Sequence, residues 1–151
     1  MKHSNKVFNP LDSYSIAIKK IEKSGIRPTK QRRILARILF EKGNRHISAE
    51  NLYDEVKKED RKISMATIYN TLKQFTKLKL IREIVVDQNK SLYCTNNSSH
   101  YHLYIEDEGK IHDIPTQNID LNIPSIPACL KFHNIDVIVR IRTLKEKKEL
   151  N

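Results

Sequence analysis

Four helical segments with N-terminal caps, a β-hairpin pattern and three further strand-like runs predict an α+β fold for this chain of 151 residues. The helices followed by the hairpin, in residues 1–95, have the order of a winged helix-turn-helix domain. The strand-like runs in residues 96–151 predict a small α/β domain with a three-stranded sheet. The boundary falls in the stretch TNNSS, residues 95–99, because turn-forming polar residues are typical of linkers.

The first two helices are predicted from their start and stop signals. Pro10 suits the first position of a helix, and Gly25 ends that helix. The second helix begins after Thr29 and ends at Gly43. Its apolar residues recur at helical spacing and predict one buried face, made of Ile34, Leu35, Ile38 and Leu39.

The third and fourth helices share one kind of N-terminus. Ser48 is the predicted cap of the third helix and Ser64 that of the fourth, each directly preceded by an isoleucine. In the fourth helix Ile68, Leu72 and Phe75 recur at helical spacing. They predict a stripe that faces the core.

Strands are predicted after the helices. The segment REIVVDQNKSLYCT alternates apolar and polar residues on both sides of a turn near Gln88 and Asn89. In the second domain, strand-like runs occupy residues 100–106, 110–115 and 134–142. No apolar run approaches the length of a membrane span, and the N-terminus lacks the apolar region of a secretory signal. We therefore expect a cytoplasmic protein with no membrane partner.

The charge is unevenly distributed. Residues 1–95 contain 21 Lys and Arg against 10 Asp and Glu, a net +11, whereas residues 96–151 contain 7 against 8, a net −1. A basic N-terminal domain predicts contact with a polyanion. The alternative is a basic surface that only keeps the protein dissolved, and charge alone does not decide between them.

The outward face of the fourth helix suits the major groove of DNA. Asn and Gln side chains can bond adenine edges, a Tyr ring can pack on a thymine methyl, and Lys contacts phosphate. A basic cluster at the start of the second helix can hold the DNA backbone. An ordinary solvated helix face is the alternative. We predict double-stranded DNA as a partner, bound by Arg27, Lys30, Arg32, Arg33, Thr67, Tyr69, Asn70, Lys73 and Gln74.

Three of the six histidines lie close together in the second domain. His100 and His102 stand two apart in a predicted strand, so their side chains project from one face and can chelate one ion. Imidazole suits Zn, Fe, Mn or Cu, and a carboxylate shifts the preference toward Fe or Mn. His112 and Asp113 are adjacent, so at most one joins that face. An exposed strand that carries histidines by chance is the alternative.

The segments ISAENLYDEV, ISMATIYNTLKQF and LIRE resemble the DNA-binding domain of the ferric uptake regulator (Fur) family, dimeric metal-dependent repressors. NTLKQF, SLYCTNNSSHYHLYIEDEGKIHDIP and IDVIVRIR are most similar to the iron response regulator (Irr) branch, which is tied to heme. The resemblance covers residues 14–142. It implies a homodimer on an inverted-repeat operator, with Tyr69 in the major groove and Arg27 reaching the minor groove. Asn70 stands where many members carry Arg, a difference that concerns the operator sequence.

The resemblance also implies a regulatory metal site. Its positions correspond to His46, Cys94, His100, His102 and Asp113, for a divalent Fe, Mn or Zn ion. Cys94 replaces a carboxylate: it could ligate a softer metal, make the site oxidisable, or be a buried thiol outside a four-ligand site. The Irr branch implies heme, with His100 and His102 as candidate ligands.

A second departure concerns the structural zinc of many family members. They hold it with two C-x-x-C pairs, whereas this chain has Ile105 and Glu108 at the first pair and no C-terminal pair. We therefore expect no four-cysteine zinc site.

The leading hypothesis is a metal- or heme-responsive transcription regulator that controls iron or heme homeostasis. One alternative is a peroxide-sensing repressor dependent on Fe or Mn, and another is a winged-helix DNA binder without a ligand. A metalloenzyme built on the H-x-H pair needs a longer all-β run, and no nucleophile or acid–base pair accompanies the histidines. We therefore expect no enzymatic activity.

Overall fold

The computed structural model describes residues 10–144, and the chain divides into two compact units between Asn97 and Ser98. The elements of the first unit are α1 Pro10–Lys23, α2 Lys30–Phe40, β1 His46–Ile47, α3 Ala49–Lys58, α4 Met65–Lys77, β2 Arg82–Asp87 and β3 Lys90–Cys94. The described part of the second unit contains β4 His100–Ile105, β5 Lys110–Pro115, a 3₁₀ turn at Thr116–Asn118 and β6 Ile138–Ile141. The predicted α+β fold class, helices and wing first and a three-stranded sheet second, is confirmed.

The predicted caps of α3 and α4 are confirmed, and α2 is capped in the same way, whereas the predicted cap of the first helix, Asn9, lies outside the described residues. At the start of α2, α3 and α4 a hydroxyl oxygen accepts a hydrogen bond from a backbone N–H three residues later, which satisfies a donor that the helix itself leaves unpaired. The pairs are Thr29 with Arg32 at 3.3 Å, Ser48 with Asn51 at 3.0 Å, and Ser64 with Thr67 at 3.1 Å.

The core of the first unit is formed by apolar residues that the four helices contribute. In α4 the stripe Ile68, Leu72 and Phe75 is buried, as the helical spacing predicts. Because this stripe faces inward, the opposite face of α4 is turned to solvent. The stripe packs in one cluster with Ile21 of α1, Leu35, Ile38 and Leu39 of α2, and Leu52 and Val56 of α3.

The sheet of the first unit contains a strand that the sequence pattern missed. Its order is β1-β3-β2, and all pairs are antiparallel. Strand β1 has only two residues, too few to show an alternating pattern. It places His46 directly opposite Cys94 of β3.

The sheet of the second unit has the order β5-β4-β6. The β4–β5 pair is antiparallel and places His102 opposite Asp113, whereas β6 pairs with β4 in parallel. Strand β6 begins at Ile138, later than the predicted run at residues 134–142. Among residues 10–144, no helix combines the length and the apolar character that a bilayer crossing requires.

The α4 stripe predicts the stability of the first unit. Replacing Ile68, which is fully buried, by Ala should lower the free energy of unfolding by about 2–5 kcal/mol through lost burial and a cavity. Urea unfolding followed by far-UV circular dichroism measures this, because all α-helices of residues 10–144 lie in the first unit. The control Val85→Thr, at an exposed position of β2, should change it by less than about 0.5 kcal/mol. Equal effects of the two substitutions would contradict the core assignment.

Candidate functional site

Three metal-ligating side chains of the second unit converge on one point. His100 Nε2 lies 3.0 Å from His102 Nε2 and 3.2 Å from Asp113 Oδ1, and the same carboxylate oxygen lies 3.6 Å from His102 Nε2. Ligand atoms that share one ion at about 2.0–2.2 Å are spaced about 3.0–3.5 Å apart in octahedral or tetrahedral geometry. The triangle of His100, His102 and Asp113 therefore has the dimensions of one face of a metal coordination shell.

The hydrogen bonding of His100 fits a metal ligand. Its Nδ1 lies 2.7 Å from the carbonyl oxygen of Ser98, and since a carbonyl only accepts, Nδ1–H is the donor. In the neutral ring the lone pair is then on Nε2, the atom directed at His102 and Asp113. Metal-ligating histidines are commonly oriented by such a bond to a backbone carbonyl. The donor set, two imidazoles and a carboxylate, fits Fe, Mn or Zn.

The spacing of His100 and His102 does not suit the binding of one heme between the two imidazoles. Two axial imidazoles of one heme lie on opposite sides of the porphyrin ring, with their nitrogens about 4 Å apart. The Nε2 atoms of the two histidines are 3.0 Å apart, and both belong to one face of β4. No porphyrin ring fits between them.

The first unit holds the other two predicted ligands, His46 and Cys94, opposite each other in β1 and β3. Cys94 is fully buried, and its Sγ lies 3.9 Å from the carbonyl oxygen of Asn96. Because directly opposed residues in an antiparallel pair share a face, the imidazole and the thiol project to one side of this sheet.

A network around Arg45 fixes the β1–β3 pair. The backbone N–H of Arg45 donates to Thr95 Oγ1 at 2.9 Å, and Thr95 N–H donates to the Arg45 carbonyl at 3.0 Å. The Arg45 guanidinium forms a two-pronged ion pair with Glu55 of α3, with one contact at 3.1 Å. This hydrogen bond from Arg45 lowers the pKa of Glu55 below its ordinary 4.5. Sequence patterns did not reveal this network, because its members lie 10 and 50 residues apart.

The outward face of α4 carries the predicted DNA-binding residues. Tyr69, Asn70 and Lys73 are exposed, whereas Thr67 and Gln74 are half-buried. Tyr69 is 45% exposed, and its hydroxyl donates to Glu50 Oε1 at 2.7 Å. Glu50 is a residue that the sequence patterns did not single out.

Arg32 and Gln74 contact each other. Arg32 Nε donates to Gln74 Oε1 at 2.9 Å, and Arg32 Nη1 donates to the Arg27 carbonyl at 2.7 Å. The pair lines a cleft of about 370 Å³ together with Thr29, Asn70 and Lys73. Arg32 thus connects the start of α2 to α4.

The three remaining basic residues of the predicted surface, Arg27, Lys30 and Arg33, are exposed at or just before the start of α2. Arg33 Nη2 lies 3.6 Å from Glu22 of α1. Both side chains of that pair are about half exposed, so the contact leaves Arg33 accessible to solvent.

These features define a class: a winged-helix DNA-binding unit followed by a sheet unit with clustered metal-ligating side chains. A model of the Ferric uptake regulator family matches residues 23–142. The chain belongs to this family.

A curated relative supports this assignment, and solved structures share the fold. The peroxide-responsive repressor PerR of Staphylococcus epidermidis is 32% identical over 104 residues, which are 69% of each chain. The ferric uptake regulator of Pseudomonas aeruginosa, solved with manganese, superimposes with a TM-score of 0.67 at 18% identity, covering 86% of this chain and 99% of that one. A zinc-bound manganese uptake regulator has a TM-score of 0.59 at 26% identity, covering 85% and 98%.

The Arg45–Glu55 pair predicts a pH dependence of stability. A carboxyl whose pKa is lowered by folding stabilises the protein above its unfolded pKa and loses this contribution as the pH falls through the folded pKa. Glu55→Gln should therefore lower the free energy of unfolding by on the order of 1 kcal/mol at pH 7, and the difference from wild type should shrink below pH 4.5.

Urea unfolding at a series of pH values between about 3 and 7 measures this difference. Asp54→Asn, at an exposed position on the same helix, is the matched control and should show no such convergence. A Glu55→Gln difference that stays constant with pH would contradict the assigned pair.

Proposed function

We propose that this protein is a metal-responsive DNA-binding transcription regulator that acts as a homodimer on an inverted-repeat operator. The observation that carries the proposal is the convergence of His100, His102 and Asp113 in the unit that follows a winged helix. Together the two features favour a regulator over a constitutive DNA binder. The family membership of residues 23–142 supports the same function. No enzymatic role is part of the proposal.

DNA is bound by the first unit in this proposal. The exposed face of α4 enters the major groove, where Asn70 and Tyr69 contact base edges and Lys73 contacts phosphate. Arg27, Lys30 and Arg33 at the start of α2 contact the backbone. Arg32 and Gln74, which are hydrogen-bonded to each other, hold these two helices in register.

The ion is Mn, Fe or Zn, held first by His100, His102 and Asp113. We propose that His46 of the first unit is a further ligand, as the family resemblance implies, and that Cys94, which is paired with His46 across the strands, is the candidate for an additional one. A bound ion supplies a positive charge that fixes its ligands in one arrangement. In this proposal the ion changes DNA affinity to the extent that it binds the DNA-competent conformation more tightly than the alternative conformation.

Two signals fit this site. The Staphylococcus relative is a peroxide-responsive repressor, which supports peroxide sensing through bound Fe, while the sequence resemblance to the Irr branch supports control of iron or heme homeostasis. The His–His–Asp donor set suits a metal ion better than a heme. We therefore favour sensing of peroxide or of a metal ion over direct sensing of heme.

Metal binding tests the sensing half of the proposal. Wild type titrated separately with Mn(II), Zn(II) and heme should bind one of the two ions, and His100→Ala/His102→Ala should lose at least about 100-fold in ion affinity. Metal content and heme absorbance measure occupancy. His112→Ala is the matched control, because His112 is exposed and adjacent to Asp113 on the opposite side of β5.

The outcomes separate the hypotheses. Ion binding by wild type that survives the double substitution would place the site elsewhere. If wild type binds DNA but no ion, the ligand-independent alternative is supported. If wild type binds heme and the double variant does not, direct heme sensing is supported. Addition of hydrogen peroxide to the Fe(II)-loaded protein, with histidine oxidation followed by mass spectrometry, tests the peroxide reading.

DNA binding is tested on a duplex selected from a random-sequence library by wild type in the presence of Mn(II). A lysine that contacts phosphate contributes about 1 to the slope of log affinity against log salt concentration. Lys73→Ala should reduce the salt-dependence slope by about 1 for each phosphate contact that Lys73 makes. Lys19→Ala, at an exposed position of α1, should leave the slope unchanged. Failure of selection to enrich any sequence would remove specific DNA binding from the proposal.

A further inference from the structure

The side chain of Tyr69 is tied to a different helix. Its hydroxyl donates to Oε1 of Glu50 at 2.7 Å, across 19 residues of sequence, so the bond joins α4 to the first turn of α3. Tyr69 is exposed over 45% of its surface. The hydrogen bond to Glu50 restricts the rotamers that this exposed aromatic side chain would otherwise sample.

The Glu50 carboxylate is itself held in place. The hydrogen bond from Tyr69 lowers the pKa of Glu50, with further contributions from its own backbone N–H, from Ser48 and from the charge of Lys90. The same bond raises the pKa of Tyr69. At neutral pH a neutral phenol therefore donates to a charged carboxylate, which is the stronger class of hydrogen bond.

Packing alone does not immobilise the ring. Tyr69 and Glu50 border an open cleft of about 480 Å³, whose other walls include Lys90 and Ser91 of β3. Because one side of the ring faces this open space, the bond to Glu50 selects its orientation. The cleft also leaves the ring reachable by a ligand that approaches α4.

The bond changes what Tyr69 can recognise. Its hydroxyl is already engaged, and a phosphate placed next to the Glu50 carboxylate would be repelled. The accessible part of the side chain is its apolar ring. In the major groove the apolar feature of base edges is the thymine methyl.

We propose that Glu50 is a positioning residue that holds the Tyr69 ring for contact with a thymine methyl, and so determines base preference without touching DNA. The inference rests on the proposed DNA binding. Glu50 then has two opposite effects on DNA binding. Its negative charge weakens attraction to the DNA phosphates, whereas its hydrogen bond to Tyr69 increases the preference for thymine.

The test compares two forms of the selected duplex, one with thymine and one made with uracil in every thymine position. Uracil lacks only the methyl group, and one buried methyl is worth about fourfold in affinity. Wild type, Glu50→Ala, Glu50→Gln, Tyr69→Phe and the Glu50→Ala/Tyr69→Phe double variant are measured with Mn(II) present. Circular dichroism confirms that each variant is folded, as expected for exposed positions.

Glu50→Ala should lower the ratio of affinity for the thymine duplex to affinity for the uracil duplex, by about fourfold for each contact between Tyr69 and a thymine methyl. This should hold even if removal of the charge raises affinity for both duplexes. Glu50→Gln keeps a hydrogen-bond acceptor and should retain the wild-type ratio. Tyr69→Phe should lower the ratio to the same degree, and the double variant should show no further change, because both substitutions break one bond.

A ratio unchanged in Glu50→Ala, or losses that add in the double variant, would overturn the positioning role. In either case, if wild type still binds the thymine duplex strongly, only the role of Glu50 is rejected and the proposed DNA-binding function is not. If wild type does not prefer the selected duplex over a scrambled one, the proposed function itself fails first.

Discussion

Burial of one apolar stripe on α4 is the constraint on which the first unit depends. Ile68, Leu72 and Phe75 are almost completely removed from solvent and lie in one cluster with residues of the other three helices. A helix that buries one face at this spacing must turn the other outward. The exposure of Tyr69, Asn70 and Lys73 is therefore a consequence of core packing. The hydroxyl caps at Ser48 and Ser64 fix where the helices of the helix-turn-helix begin.

In the second unit the corresponding constraint is the period of a β-strand. Residues two apart share a face, so His100 and His102 project together, and antiparallel pairing brings Asp113 opposite His102. The Ser98 carbonyl then selects the tautomer of His100. Three donor atoms spaced 3.0–3.6 Å apart result from ordinary sheet geometry and one backbone hydrogen bond. Without an ion, His100 Nε2 and His102 Nε2 share a hydrogen bond of 3.0 Å, and a bound ion would replace that bond as the contact that joins the donor atoms.

The charged residues of the first unit have separate tasks. Arg45 binds Glu55 and secures the strand that carries His46, while Arg32 binds Gln74 and connects α2 with α4. Arg27, Lys30 and Lys73 stay exposed. Some basic side chains of this unit therefore stabilise the fold through contacts within the protein, and others are exposed and can contact DNA phosphates. Composition alone does not make this distinction, because it depends on which carboxylates and amides lie within reach.

The sequence by itself determined the helix starts, the α4 stripe, the wing hairpin and the shared face of His100 and His102. Each of these follows from local periodicity or from a cap within three residues. It also supplied the family resemblance, which the match over residues 23–142 confirmed. Periodicity left open whether His112 or Asp113 joins the histidine pair; the family resemblance implied Asp113, and the strand register, which places Asp113 opposite His102, agrees with it. Tertiary structure alone revealed the two-residue strand β1, the Arg45–Glu55 pair and the Tyr69–Glu50 bond. These contacts join residues 10 to 50 positions apart, where no periodic pattern reaches and only packing of the helices and sheet brings the groups together.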